Sequence, residues 1–303
     1  MERAKLDGVQ LEYEVKGTGE PVLLISPVVA GAFVPFLSAP ALLDRYHLIR
    51  YHRRGWCGST HTAAAVSIAD HAADAAALLE QLGLARAHVA GHSSGGAVAL
   101  QLAVDRPDLV HTLTLLEPSL FSVPSAPALF EKAGRFLAAY GAGDHEQAVT
   151  GFLSVVSGLD PAACRAVIEE NVPGGVAQAI KDADTFFGIE LPSLSAWEFG
   201  PAQAEKISQP VLSVLGSETE RLWMDVAKLV RAWFPQAEDL IVQGVGHLLQ
   251  MQRPEPVARG VAAFLGRHPM NGARSVARSA GVLDVQVDKS RLLQMLPRVL
   301  RSS

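Results

Sequence analysis

The chain has 303 residues, 49% of them apolar, and a formal net charge of −5. It has ample material for a buried core, and no positive field that would draw nucleic acid or acidic membranes, so neither is an expected partner. Two cysteines, Cys57 and Cys164, are too few for a disulfide framework and join no Cys/His cluster, so no metal is expected.

The charged N-terminal stretch lacks the apolar core of a signal peptide, and no apolar run reaches membrane-spanning length. A cytoplasmic chain without integral membrane association is therefore expected. VQLEYEVKG (9–17) alternates like a half-buried strand, closed by GTGE as a turn. PVLLIS (21–26) is a short continuous apolar run, as in a strand buried on both faces. YHLIRYH (46–52) reads as another strand. SIADHAADAAALLEQLG (67–83) reads as a helix, with Ser67 as N-cap, Asp70 at the capping-box position and Gly83 as its stop. AHVAG is a strand, GGAVALQLAVDRP a helix and HTLTLLE (111–117) a strand again. This alternation predicts an α/β fold with a mostly parallel sheet and helices on both faces.

The rhythm breaks between residues 118 and 207, where only helical patterns occur, and returns with a strand at 209–216, a helix at 222–234, a strand at 239–244 and the helix PEPVARGVAAFLGR. The expected organisation is therefore a core from 1–117, a helical lid over 118–207, the second part of the core over 208–267, and a C-terminal extension over 268–303. KSRLLQMLPRVLR in that extension is basic and amphipathic, read first as a helix on the domain surface and second as a partner- or membrane-touching one.

Gly91-His92-Ser93-Ser94-Gly95 fits G-x-S-x-G and lies between a predicted strand and a predicted helix. A turn this tight strains its central residue and needs small neighbours. Ser93 is therefore the candidate nucleophile, at the positive end of the following helix. Ser94 is expected to offer its backbone N–H as an oxyanion donor. His247, in a Gly-rich loop after the last strand, is the candidate base.

These residues resemble the α/β-hydrolase superfamily. The resemblance runs over about 6–266 and includes RRGWCGS (53–59), the turn at Ser93, PVLSVLGS and GVGHLLQMQRPEPVARGVAAFL. It implies a triad in the order Ser, acid, His. Two departures stand out. Most relatives carry His-Gly after the strand at 21–26, whereas this chain has Ser26-Pro27. Proline has no N–H, so Val28 is the expected second oxyanion donor. The usual Gly-x-x-Asp acid is also missing, since Gly216-Ser217-Glu218-Thr219 puts threonine in that register. Glu117, at the end of the strand after the Ser93 helix, is the favoured acid, with Glu218 or Glu220 as the alternative. A carboxylate at the end of an apolar strand needs a partner, and a histidine would supply one. Certain haloalkane dehalogenases and the zearalenone lactone hydrolases are similar in taking their acid from this strand. The latter are also similar in their paired serines and in lacking His-Gly.

Serine in the turn argues for acyl-enzyme chemistry on a small-molecule carboxylic ester or lactone, with no cofactor. The alternatives are C–C or thioester hydrolysis by the same residues, or a ligand-binding protein without hydrolysis. His92, Trp197, Phe186 and Phe187 are candidate substrate contacts. Arg53, Arg54 and Trp56 are read as a structural turn, Cys57 as a packing residue, and Asp182 and Asp184 as a solvated helix face. A homodimer is left open.

Overall fold

Eight strands form one sheet in the computed structural model, which describes residues 1–270. They are β1 (Glu2–Leu6), β2 (Val9–Lys16), β3 (Glu20–Ile25), β4 (Tyr46–Tyr51), β5 (Ala87–His92), β6 (Val110–Leu116), β7 (Val211–Gly216) and β8 (Glu238–Val242). Their order across the sheet is β1-β2-β4-β3-β5-β6-β7-β8. β1 and β2, and β2 and β4, pair antiparallel; from β4 to β8 every pair is parallel. The sheet is thus mostly parallel, as the alternation of elements implied. β1 was not expected. It is an edge strand in which only Ala4 is buried, so it shows little apolar pattern, and its charges discourage further pairing at that edge.

The parallel strands β3 to β7 are largely buried on both faces, and the edge strand β8 is half-buried. One face carries the helices Ile68–Gln81, Ser94–Asp105 and Arg221–Trp233. The other is covered by residues 33–42 and the helix Pro254–Arg267, with Phe33, Phe36 and Phe264 completely buried between them. Ser67 caps its helix as expected. Its hydroxyl accepts from the Asp70 N–H at 3.1 Å, and its own N–H donates to the Asp70 carboxylate at 2.8 Å. Between β6 and β7 the described chain is helical, with its longest helices at Ala126–Gly141, His145–Ser157 and Pro161–Asn171 and a π-helical segment at Asp184–Glu190. The basic stretch 289–301 lies outside the described residues.

The chain leaves β3 toward one side of the sheet and reaches β5 on the other. A crevice therefore opens beyond the C-terminal ends of these two neighbours. The turn after β5 sits there. A Cβ on Gly91 would lie 2.3 Å from the Gly95 carbonyl oxygen, and one on Gly95 would lie 2.1 Å from the Ile25 carbonyl oxygen. Neither backbone can move aside, which accounts for the glycines around Ser93.

Arg53 and Glu190 tie the core to the helical insertion. The two side chains form a fully buried ion pair. Arg53 also donates to the Ser26 carbonyl at 3.2 Å and to Ser94 Oγ at 3.3 Å, and lies over the Trp56 ring. Breaking one side of a buried pair leaves an uncompensated charge. Glu190→Leu should lower the unfolding free energy by about 3–5 kcal/mol. Arg53→Met in the same chain should recover most of that loss, as read by urea denaturation.

Candidate active site

Parallel pairing brings the first candidates together. His92 on β5 is level with Leu116 on β6, so Ser93 and Glu117 are the next residues beyond adjacent strand ends. The Ser93 N–H donates to the Leu116 carbonyl at 3.0 Å, and the Glu117 N–H to the Val214 carbonyl at 3.2 Å. Both residues have left-handed backbones, Ser93 at φ 53° and Glu117 at φ 42°. This strain turns their side chains out of the sheet plane toward the crevice.

His247 arrives from the loop between β8 and the short helix Leu249–Gln252. Its Nδ1 lies 2.7 Å from Glu117 Oε2. The glutamate also accepts the Gly216 N–H at 2.9 Å and the Thr219 hydroxyl at 3.0 Å. Thr219, which stands in the register where an aspartate was missing, thus serves as a donor to a carboxylate reaching over from β6. Glu218 is exposed, and Glu220 faces Lys132 at 3.6 Å. Among the described residues neither side chain forms a hydrogen bond or ion pair with His247, whose Nδ1 partner is Glu117.

Ser93 is partly exposed, and its hydroxyl lies 3.3 Å from Ser119 Oγ. A direct Ser93–His247 hydrogen bond is absent among the described residues. In an unliganded site such a bond is often long and tightens only with substrate bound. The N–H groups of Val28 and Ser94 have no hydrogen-bond partner among the described residues, and both residues line the cavity that holds Ser93. Two free amides beside the serine are what an oxyanion would require.

Burial raises the Glu117 carboxyl to about 8, against the opposing pull of the Gly216 and Thr219 donors. Burial also holds the His247 imidazole low, at about 3. His92 is pushed well below the usual histidine range, first by burial and then by the nearby His247. The histidines therefore rest neutral. His92 donates from Nε2 to the His247 carbonyl at 2.9 Å and accepts at Nδ1 from Gln250 at 2.9 Å. It lines the cavity, but both ring nitrogens are engaged within the protein. Its visible role is to hold the His247 loop rather than to bind substrate.

The cavity that holds Ser93 contains about 580 Å³ of empty space, its open mouth included. Phe121, Phe130, Phe152, Phe186 and Trp223 line it, and among the described residues no Asp, Glu, Lys or Arg does. Of the aromatic candidates, Phe186 lies in this lining and Phe187 and Trp197 do not. Phe187 stacks on Tyr140 behind the wall, and the Trp197 indole N–H is drawn to Gln101 at 2.8 Å. Ser119, in the irregular segment after β6, and Trp223, in an amphipathic helix, were missed, since neither carries a spacing signal. Asp182 is buried and accepts the Cys57 N–H at 3.0 Å, so it is no solvated helix face.

The chain belongs to the alpha/beta hydrolase fold family, whose model matches residues 21–254. RutD of Azorhizobium caulinodans, provisionally named a carbamate hydrolase, is 36% identical over 106 residues, which are 35% of this chain and 40% of that one. The chain thus spans well under two thirds of that relative. The RutD of Pseudomonas syringae pv. syringae is 26% identical over 252 residues, 82% of this chain and 95% of that one. A thermophilic esterase from Thermogutta terrifontis shares the fold with a TM-score of 0.74 at 20% identity, over 89% of this chain and 100% of that one.

The Glu117 proton has a consequence for tautomer. A carboxylate accepts from His247 Nδ1–H and leaves Nε2 free as a base, whereas a protonated carboxyl favours the opposite tautomer. Because the carboxyl is raised, it takes its proton as pH falls through its folded value, and the tautomer with a free Nε2 is lost in that direction. The acid limb of kcat/KM on p-nitrophenyl butyrate should therefore lie above the ordinary glutamate range, toward about 8. Residual activity of Glu117→Gln should lack that limb, as a pH–rate profile of both proteins will test.

Proposed function

We propose that this hydrolase-fold protein cleaves uncharged carboxylic esters or lactones through an acyl-enzyme on Ser93, with His247 as base and Glu117 as its orienting acid. The observation that carries the reading is the 2.7 Å Glu117–His247 hydrogen bond beside a strained, partly exposed serine. His247 Nε2 takes the Ser93 proton as Oγ attacks the carbonyl carbon. The oxyanion is met by the N–H groups of Val28 and Ser94. The C–O bond then breaks, and the leaving alkoxide takes the proton from Nε2; in a lactone it stays attached to the acyl group. Water repeats the sequence and frees Ser93.

The cavity lining supports an apolar acyl or alcohol portion. A charged acyl group would be desolvated there without a partner. Carbamates present the same carbonyl to the same serine, and the resemblance to RutD keeps them as the second reading.

Hydrolysis of p-nitrophenyl butyrate should fall by about 10³-fold or more in Ser93→Ala, and by about 10²- to 10⁴-fold in Glu117→Gln. Glu218→Gln with Glu220→Gln should stay within about twofold, since surface carboxylates contribute little. The butyryl ester should exceed a succinyl half-ester by at least about tenfold in kcat/KM. Activity that survives Ser93→Ala would refute the mechanism. A wild type inert to esters, carbamates and a fluorophosphonate probe would favour the ligand-binding alternative.

A further inference from the structure

Trp223 is the third residue of the helix Arg221–Trp233 and is 2% exposed. Its indole lies flat on the His247 imidazole, with centroids 3.8 Å apart and planes inclined by 3°. At this separation the imidazole is in van der Waals contact with the indole face. A cation over an indole face gains a further attraction from the ring quadrupole. The stack therefore suits an imidazolium better than the neutral imidazole of the resting site.

The indole is fixed from its other edge. Its N–H donates to the Val156 carbonyl at 2.8 Å. Val156 lies in the last turn of the helix His145–Ser157, where carbonyls lack intrahelical partners. The titratable groups against His247 are Glu117 at Nδ1 and the neutral His92, whose ring centroid is 4.7 Å away at 48°. No Arg or Lys among the described residues forms a hydrogen bond or ion pair with this group.

We propose that Trp223 is the positioning residue of the base: its face fixes the plane of the His247 ring and stabilises the imidazolium that exists only while the Ser93 proton is in transit. The proposal rests on His247 being the base. Stabilisation realised only in that state accelerates the reaction without tightening ground-state binding. Through Val156 the same indole makes the helical insertion part of the base's support.

The test uses the rate of Ser93 phosphonylation by a fluorophosphonate probe, which depends on the nucleophile, its base and the oxyanion donors and on no later deacylation step. Tryptophan is replaced by its mono-, di- and trifluorinated forms, which nearly keep its shape and progressively drain its face. The rate should fall stepwise with fluorination, by about three- to thirtyfold in total, with thermal midpoints unchanged. In a Trp223→Phe background, where only Trp56, Trp197 and Trp233 carry fluorine, the steps should vanish. Trp223→Phe should react faster than Trp223→Leu. A wild-type rate indifferent to fluorination, or equal steps in both backgrounds, would overturn the proposal while His247→Gln still abolishes labelling. If His247→Gln labels at the wild-type rate, or wild type does not label at all, the base reading itself falls and this proposal with it.

Discussion

The hydrogen bond between Glu117 and His247 is the interaction on which the rest of the site depends. It joins residues 130 positions apart and is completely buried. A carboxylate so enclosed is costly unless every lone-pair direction finds a donor. The sheet edge supplies three: the Gly216 N–H, the Thr219 hydroxyl and His247 Nδ1. The glutamate leaves the end of β6, yet its head group is held by donors that follow β7. The longer side chain spans the interval that an aspartate after β7 would not need to cross. Thr219, in the register where the sequence lacks an aspartate, donates its hydroxyl to that glutamate.

The remaining features serve that bond. Parallel pairing of β5 and β6 sets Ser93 beside Glu117. His92 and Gln250 hold the carbonyl side of His247, and Trp223 holds its ring face. Arg53 ties the Ser26 loop and Ser94 to Glu190 in the helical insertion. Besides lining the cavity, the insertion is tied to the site's polar residues through Glu190 and through the Val156 carbonyl. The roof of the cavity and the machinery on its floor share side chains.

Much of this was legible in the sequence because it rests on local backbone requirements. The glycines at 91 and 95, the strand-to-helix context and the Ser67 cap each follow from a few neighbouring residues. The isolated Glu117 could be singled out because an unpartnered carboxylate on an apolar strand is improbable. What escaped was set by tertiary packing. Trp197 and Phe187 look like any apolar roof residues; only their contacts with Gln101 and Tyr140 turn them away. Trp223 sits in an ordinary amphipathic helix, and nothing in its spacing announces a stack on a histidine from another loop. β1 is an edge strand whose identity comes from its partner rather than from its own pattern.

The most direct test of the central claim is proton NMR of the ¹⁵N-histidine-labelled protein, following the hydrogen-bonded imidazole N–H. The account predicts, at a pH above about 8 where Glu117 is ionised, a strongly downfield Nδ1 proton that is present in wild type and in the Glu218→Gln, Glu220→Gln protein. It should be lost in both Glu117→Gln and His247→Gln. A resonance that persists in Glu117→Gln, or disappears when Glu218 and Glu220 are replaced, would place the acid elsewhere and contradict the account.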